Sequence, residues 1–165
     1  MELLKKLAQC NGPSGAENEI RELIKSEAQK YSNEIFEDAL GNLIVRKKGT
    51  GKKIMLASHM DEIGVIVTFV DDKGFLRFAP VGGLYVKDLC GRRVEFKNGT
   101  VGVIKKKKKA TERSVKNMFI DIGASDKNDA LRYVNIGDTA CFCGEYKEQN
   151  GRVLSKALDN RAGCF

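Results

Sequence analysis

The chain has 165 residues, of which 42% are hydrophobic and 31% charged, as in a globular protein of one ordinary domain or two small ones. No apolar run approaches the ~18 residues of a membrane span. The N-terminal residues 1–6 lack the apolar core and cleavage site of a secretory signal. The five cysteines show no C-x-x-C spacing and are interpreted as reduced thiols. We therefore expect a cytoplasmic protein that does not contact membranes.

Much of the formal net charge of +7 comes from the five consecutive lysines Lys105–Lys109. Adjacent like charges repel one another and favour an exposed loop. The block lacks the aromatic and arginine side chains that would strengthen a contact with a polyanion. The sequence therefore predicts a solvated connector and no specific nucleic-acid partner.

The first thirty residues predict two helices. Apolar residues recur at helical spacing over residues 1–9, and Asn11-Gly12-Pro13 ends that helix. Ser14 and Glu17 have the spacing of a capping box, in which both side chains bond to free backbone amides. Behind them, apolar residues from Ile20 to Tyr31 lie on one helical face. These patterns predict an amphipathic second helix with a structural role.

Residues 35–38 and 43–45 predict short strands, and a continuous apolar run, Ile54–Ala57, follows. Such a run is typical of a strand covered on both faces, and open α/β sheets bind ligands at the carboxyl ends of these strands. This run leads into His59, the only histidine, and Asp61. Imidazole is a common zinc ligand whose tautomer a carboxylate can fix. Because this spacing is short and frequent, on its own it favours a chance histidine at a strand end, with Asp61 and Glu62 as ordinary turn carboxylates.

After Gly64 the pattern changes to short strands separated by turns. The six strand candidates are 65–70, 75–79, 92–96, 100–104, 118–122 and 139–142, and only 127–133 looks helical. Asn98-Gly99 between two of them is a strong hairpin signal. Many short strands with regular turns predict a small barrel or sandwich. An α/β beginning followed by an all-β region implies an inserted second module.

Near the end of the chain, residues 153–158 predict a strand. Asp159 and the small residues after it predict a tight turn into a helix, at which the sequence stops. We therefore expect the chain to be a fragment of a longer protein.

Several short segments, in order along the chain, carry a family resemblance. They are Pro13–Glu17, Gly41–Ile44, His59–Gly64, Gly74–Phe78, Val81–Gly83, Ile120–Ala124, Gly137-Asp138 and Lys156–Arg161. Together they resemble the M42 family of dinuclear metallo-aminopeptidases, which includes glutamyl and deblocking aminopeptidases that form tetrahedral particles. Each segment alone is a weak signal, whereas the ordered set is highly specific.

The resemblance implies an α/β fold, in which a mixed-sheet metallopeptidase domain is interrupted by a small inserted β-barrel domain. Residues 1–66 would form the first part of the peptidase domain, 67–152 the barrel, and 153–165 the return to the peptidase domain. In the family the barrel serves dimerisation and assembly. The resemblance therefore also implies a homo-oligomer, with dimers assembling into a dodecamer, that acts on peptide substrates.

The resemblance also assigns three site residues. His59 would be a ligand to one metal ion. Asp61, the one catalytic residue assigned, would be a carboxylate that contacts His59 and does not bind the ion directly. Asp159 would bridge two divalent ions, zinc or cobalt and possibly manganese, with a cis peptide bond before Asn160. In two-metal hydrolysis, ions about 3.5 Å apart activate a shared water and polarise the scissile carbonyl.

The chain departs from the family pattern in two places. The family's glutamate pair, a further carboxylate and a second histidine follow the aspartate that corresponds to Asp159, and this chain ends at Phe165 before any of them. The lysine block replaces a glycine and a proline-rich connector. We expect a metal-dependent aminopeptidase by family, whose 165 residues alone bind metal weakly and hydrolyse no peptide.

Two other functions remain as alternatives. One is a non-catalytic assembly module whose barrel mediates subunit contacts. The other, less favoured, is an endoglucanase-type glycosidase, which needs two carboxyl groups facing each other across a sugar. Asp61 and Glu62 are adjacent, so in an extended segment their side chains point to opposite faces.

Overall fold

The structure is a computed structural model that describes residues 1–107 and 114–165. Helices α1 (Glu2–Gln9) and α2 (Asn18–Ala28) open the chain, followed by a hairpin of β1 (Glu34–Glu37) and β2 (Leu43–Arg46). A closed barrel contains β3 (Gly64–Val70), β4 (Leu76–Val81), β5 (Arg93–Phe96), β6 (Val101–Lys106), β7 (Met118–Asp121) and β8 (Thr139–Phe142), with helix α3 (Lys127–Ala130) between the last two. The hairpin of β9 (Lys147–Gln149) and β10 (Arg152–Leu154) and the short turn α4 (Leu158–Arg161) follow. The described residues also contain short 3-10 helices at Val86–Asp88, Val115–Asn117 and Ala162–Cys164. Within the described residues, no helix has both the length and the apolar character needed to cross a membrane.

The first helix is confirmed, but the predicted capping box is wrong. Helix α2 begins only at Asn18, and its N-cap residue, Glu17, makes no capping bond through its side chain. Glu17 accepts a hydrogen bond from the Gly15 amide at 2.6 Å, and the Ser14 hydroxyl donates to Asp61 instead. The Ser14 side chain therefore joins two segments far apart in sequence. Tyr31, which was predicted on the apolar face of this helix, lies exposed beyond the helix end.

The apolar run before His59 is not a buried strand. Ile54, Met55 and Leu56 are 85%, 88% and 92% exposed, and they belong to no strand. A strand covered on both faces needs hydrogen-bonding neighbours at its edges and packed layers above and below. Nothing in residues 1–107 or 114–165 pairs with this run, since the three described sheets are β1–β2, β9–β10 and the barrel. The prediction of a buried strand is therefore wrong, because no described strand pairs with this run.

The barrel confirms all six strand candidates. Its antiparallel strands close in the order β3-β4-β7-β6-β5-β8. Buried side chains alternate with more exposed ones, as in β5, where Val94 and Phe96 are buried and Glu95 is not. The Asn98-Gly99 turn joins β5 to β6, with Gly99 at a φ of 84°. Local alternation and turn chemistry were therefore sufficient to find these strands, and the structure decides for a barrel where the pattern left a barrel or a sandwich open.

The lysine block is not simply a connector. Lys105 and Lys106 belong to β6, where they pair with Phe119 and Met118 of β7. The Lys105 ammonium lies 2.9 Å from the Asp121 carboxylate, an ion pair that offsets part of the repulsion along the block. The prediction is wrong for these two residues, while Lys108 and Lys109 lie outside the described residues.

The first and last barrel strands are neighbours. β3 pairs with β8 in register from Gly64 opposite Cys141 to Ile66 opposite Thr139. The chain therefore leaves the His59 segment at Gly64 and returns beside it after β8. The strand predicted over residues 153–158 is present only as far as Leu154, in β10, and its hairpin partner β9 was not predicted; α4 follows this hairpin.

A buried arginine ties the returning segment to the N-terminal segment. Arg161 is 0% exposed. Its guanidinium donates to the carbonyl oxygens of Met60 at 2.9 Å, of Leu7 at 2.8 Å and of Cys10. It also lies 3.3 Å from the Glu62 carboxylate. One side chain thus joins the end of α1, the residues around Met60 and α4.

Glu62 completes this buried cluster. Its carboxylate, in a residue only 7% exposed, accepts from the Lys156 ammonium at 3.0 Å and from the Gly12 amide at 3.2 Å. Lys156 also donates to the Asn11 side chain at 2.6 Å. Buried charges are tolerated when they are paired and hydrogen-bonded in this way.

Replacing Arg161 tests how much this cluster contributes. We expect Arg161→Leu to lower the free energy of unfolding by about 3–5 kcal/mol, because it leaves a buried carboxylate short of a partner and three carbonyl oxygens unbonded. Urea unfolding of the 165-residue chain measures this. The exposed Arg132 is the control, since its side chain is 77% exposed and Arg132→Leu should cost less than about 1 kcal/mol. Equal losses for the two variants would contradict the assignment.

Gly64 joins the His59 segment to the barrel at a close approach. A Cβ there would lie 2.7 Å from the Ala140 carbonyl oxygen and 2.9 Å from the Pro13 Cβ. We expect Gly64→Ala to lower the free energy of unfolding by about 1–3 kcal/mol, as overpacking does in other well-packed regions. At Gly83 an added Cβ has open space, so Gly83→Ala is the matched control in the same urea experiment. A Gly64→Ala variant as stable as Gly83→Ala would show that the packing can relax.

Candidate metal centre

The His59 ring lies between two carboxylates. Its Nδ1 is 2.9 Å from Asp61 Oδ1, and its Nε2 is 3.2 Å from Asp159 Oδ1. Asp159 is 100 positions further along the chain than His59, and all the barrel strands lie between the two residues in sequence. The structure therefore brings together all three site residues that the family resemblance selected.

The turn that carries Asp159 is irregular. Asp159 and Asn160 depart from helical dihedral angles within α4, and the peptide bond between them is cis, as the resemblance implied. The turn packs closely against the residue before His59, because a Cβ at Gly163 would lie only 2.8 Å from the Ser58 Cβ. Absence of a side chain at Gly163 thus allows Asp159 to approach the imidazole.

Asp61 has a separate partner for each carboxylate oxygen. Oδ1 faces the His59 ring, and Oδ2 accepts a hydrogen bond from the Ser14 hydroxyl. The Ser14 hydrogen bond, with a smaller contribution from His59, holds the pKa of Asp61 below its usual value against the opposing effect of partial burial. Asp61 is therefore an ionised acceptor at neutral pH, suited to receive the Nδ1–H of a neutral imidazole.

The geometry of His59 and Asp159 fits two donors to one metal ion. Donors about 2.0–2.1 Å from a tetrahedral zinc ion are about 3.3 Å apart. The Nε2–Oδ1 distance of 3.2 Å is close to that value. With Asp61 holding the proton on Nδ1, the Nε2 lone pair is free to coordinate. The two residues thus fit a metal ion as part of its donor set.

These donors do not form a complete site by themselves. The described part of the chain contains no group of three or more histidine, cysteine or acidic side chains that could hold an ion. His59 and Asp159 are also open to solvent, with side chains 55% and 96% exposed. A catalytic zinc ion normally takes three protein ligands. The chain therefore offers part of a coordination sphere.

Two of the three site residues, His59 and Asp61, border an open cleft. The cleft has a volume of about 890 Å³, and its walls include the exposed run Ile54–Ala57, the strand β2 and the side chains of Arg21, His59 and Asp61. One wall is therefore the apolar run that the sequence placed in a buried strand.

Glu62 lies outside the candidate site, and of the five cysteines Cys164 approaches it, with its Sγ 3.8 Å from the His59 carbonyl oxygen. The Glu62 carboxylate points into the buried cluster with Arg161 and Lys156, so it is not available as a base beside His59 and Asp159. Cys141 is buried, and burial raises the pKa of its thiol to about 12. All five cysteines lie in the described residues and are free. They are reduced thiols in this structure, as interpreted from their spacing.

Sequence reasoning missed two residues that support the site. Ser14 was assigned to a helix cap, although it lies in the Pro13–Glu17 segment that contributed to the resemblance. Arg161 was quoted only as part of the Asp159 segment, and its burial has no local signal, because arginine is usually exposed. Both act over distances in sequence that a periodicity pattern does not detect.

The sequence of this chain is similar to those of known aminopeptidases. A family model described as M42 glutamyl aminopeptidase matches residues 41–165. A curated relative from Acetivibrio thermocellus, whose aminopeptidase name is provisional, is 54% identical over 99% of this chain and 50% of its own length. A lysyl aminopeptidase of Pyrococcus furiosus is 34% identical over 97% of this chain and 51% of its own. The chain thus spans about half the length of these curated relatives.

Two solved structures are similar to this chain in both fold and sequence. A Thermotoga maritima protein called an endoglucanase has a TM-score of 0.88 and 39% identity, covering 98% of this chain and 51% of its own. The Pyrococcus horikoshii TET1 peptidase, described as assembling into a tetrahedron or a large octahedral shell, has a TM-score of 0.84 and 38% identity over 99% and 52% of the two chains. With a family model that matches three quarters of its residues, this chain belongs to the M42 peptidase family.

Proposed function

We propose that this chain supplies part of the dinuclear metal centre of a metal-dependent aminopeptidase. The observation that carries the proposal is the approach of His59 Nε2 to Asp159 Oδ1, at 3.2 Å across 100 residues of sequence. Membership of the M42 family supports the same activity. When bound, two divalent ions would activate a water molecule and polarise the scissile carbonyl of a peptide.

Each of the three residues would have a distinct role. His59 would donate its Nε2 lone pair to one ion, and Asp159 would bridge the two ions through its carboxylate. Asp61 would accept the Nδ1–H of His59, which fixes the tautomer and raises the basicity of the ligand. An imidazole and carboxylate site suits zinc, cobalt or manganese, with selectivity set by geometry and supply.

We further propose that polypeptide beyond these 165 residues completes the site. Half the length of the curated relatives is not represented in this chain. That half would contribute the general base and the remaining ligands. It would also cover the exposed run Ile54–Ala57, whose 85–92% exposed large side chains are otherwise unfavourable in water.

The domain organisation expected from the sequence stands as part of this proposal. Residues 1–66 and 153–165 would belong to one peptidase domain, and 67–152 would contain the inserted barrel domain, whose first strand begins slightly earlier at Gly64. By analogy with the assembling TET1 peptidase, the whole protein would form homo-oligomers in the cytoplasm and act on peptides.

A glycosidase is less consistent with the positions of the carboxylates. Asp61 is bound to Ser14 and His59 at the cleft, whereas Glu62 is buried against Arg161 and Lys156 on the other side of the backbone. The two carboxyl groups therefore do not face a common sugar site, as glycoside hydrolysis requires. The endoglucanase name of the Thermotoga maritima neighbour is therefore not supported by the positions of Asp61 and Glu62 in this chain.

A chimera tests the catalytic proposal. Residues 1–165 replace the matching half of the Pyrococcus furiosus lysyl aminopeptidase, and release of nitroaniline from aminoacyl nitroanilides is measured with and without added metal. We expect metal-dependent activity that His59→Gln or Asp159→Asn reduces by at least about 10³-fold in kcat/KM, because the metal supplies several kcal/mol of transition-state stabilisation. An assembled chimera whose activity is insensitive to both substitutions would contradict the proposal and favour the assembly module.

Metal affinity tests the role of Asp61 separately. In the chimera we expect Asp61→Asn to weaken cobalt binding by about 10–100-fold, because the amide no longer fixes the His59 ring as a carboxylate does. Absorption of bound cobalt during titration measures the affinity. The exposed Asp72, between β3 and β4, is the matched control. The 165-residue chain alone should bind cobalt more weakly than the chimera, and equal affinities would show that no further ligands are needed.

A further inference from the structure

The Ser14 hydroxyl is placed against Asp61 by the backbone on both sides of it. Pro13 and Glu62 form a parallel β-bridge, in which the Glu62 amide donates to Gly12 at 2.9 Å and the Ser14 amide donates to Glu62 at 3.3 Å. This bridge places Ser14 beside Asp61, and the hydroxyl donates to Oδ2. The contact is therefore part of a fixed backbone arrangement.

The Ser14 side chain has no local role that would account for its position. Helix α2 begins four residues later, and no side chain caps it. The hydroxyl is half-buried and makes its hydrogen bond to a residue 47 positions away. Its function must therefore be sought at Asp61.

The Ser14 hydrogen bond restricts rotation of the Asp61 carboxylate. The χ2 torsion of aspartate is broad, so a carboxylate held through one oxygen can turn about its axis. Here Oδ2 is held by Ser14, which leaves Oδ1 pointing at His59 Nδ1 at 2.9 Å. The direction of the Asp61–His59 hydrogen bond is therefore set in part by Ser14.

We propose that Ser14 is a positioning residue, whose hydroxyl holds Asp61 in the orientation that keeps the proton of His59 on Nδ1 and leaves Nε2 facing Asp159. Its importance for metal binding rests on the proposed function. Its effect on the imidazole does not, because Asp61 and Asp159 compete for the single proton of the neutral ring in the chain as it stands.

The single histidine makes this competition measurable. In the ¹⁵N-labelled 165-residue chain, long-range ¹H–¹⁵N correlation gives one imidazole spin system, from which the ratio of the Nδ1–H to the Nε2–H tautomer is read at a pH where the ring is neutral. We expect Ser14→Ala to lower that ratio by about three- to tenfold, which corresponds to the net contribution of one typical hydrogen bond. Ser14→Thr keeps the hydroxyl and should restore the ratio.

A matched control separates positioning from general stability. The Ser26 hydroxyl donates to the Leu23 carbonyl on the exposed side of α2, so Ser26→Ala should leave the tautomer ratio unchanged. If Ser14 acted only by drawing charge from Asp61, its removal would make Asp61 a stronger acceptor and raise the ratio. An unchanged or raised ratio in a folded Ser14→Ala chain therefore overturns the proposal.

Cobalt titration of the chimera distinguishes this proposal from the proposed function. A lowered tautomer ratio together with about tenfold weaker cobalt binding in Ser14→Ala supports both. A lowered ratio in a chimera that binds no cobalt supports the positioning role and contradicts the metal centre. An unchanged ratio overturns the positioning role whether or not the chimera binds cobalt.

Discussion

The positions of the site residues depend on the hydrogen bonds and the ion pair of the buried Arg161 guanidinium. A guanidinium offers five donors in a rigid planar fork, so one arginine can fix several acceptors in a defined geometry. Here the acceptors are carbonyl oxygens of Leu7, Cys10 and Met60 and the carboxylate of Glu62. Since Asp159 lies two residues before Arg161, the contact that stabilises the fold also sets the position of the Asp159 carboxylate.

The residues around Met60 divide between the buried cluster and the cleft. His59 and Asp61 turn their side chains to the cleft, whereas Glu62 and the carbonyl of Met60 face Arg161. An extended segment presents successive side chains to opposite sides, so Asp61 and Glu62 separate in this way. Adjacent carboxylates consequently have unrelated roles, one orienting an imidazole and the other balancing a buried charge.

The success of sequence reasoning depended on how local the determining contacts are. The six barrel strands were predictable because alternation and turn residues act within a few positions. The run Ile54–Ala57 was misjudged because its burial depends on partners that hydrophobicity does not specify. Ser14 was misjudged because Asp61, 47 positions away, competes successfully for its hydroxyl. The pairing of His59 with Asp159 came from family resemblance, since spacing carries no information over 100 residues.

The neighbouring positions of β3 and β8 have a consequence for the entropic cost of bringing His59 and Asp159 together. Bringing together the ends of a flexible loop of 100 residues costs about 4 kcal/mol in chain entropy. A folded barrel removes most of that cost, because its first and last strands already lie side by side. Any module with adjacent ends could do the same. The barrel therefore lowers the entropic cost of assembling the site, although it contributes neither His59 nor Asp159.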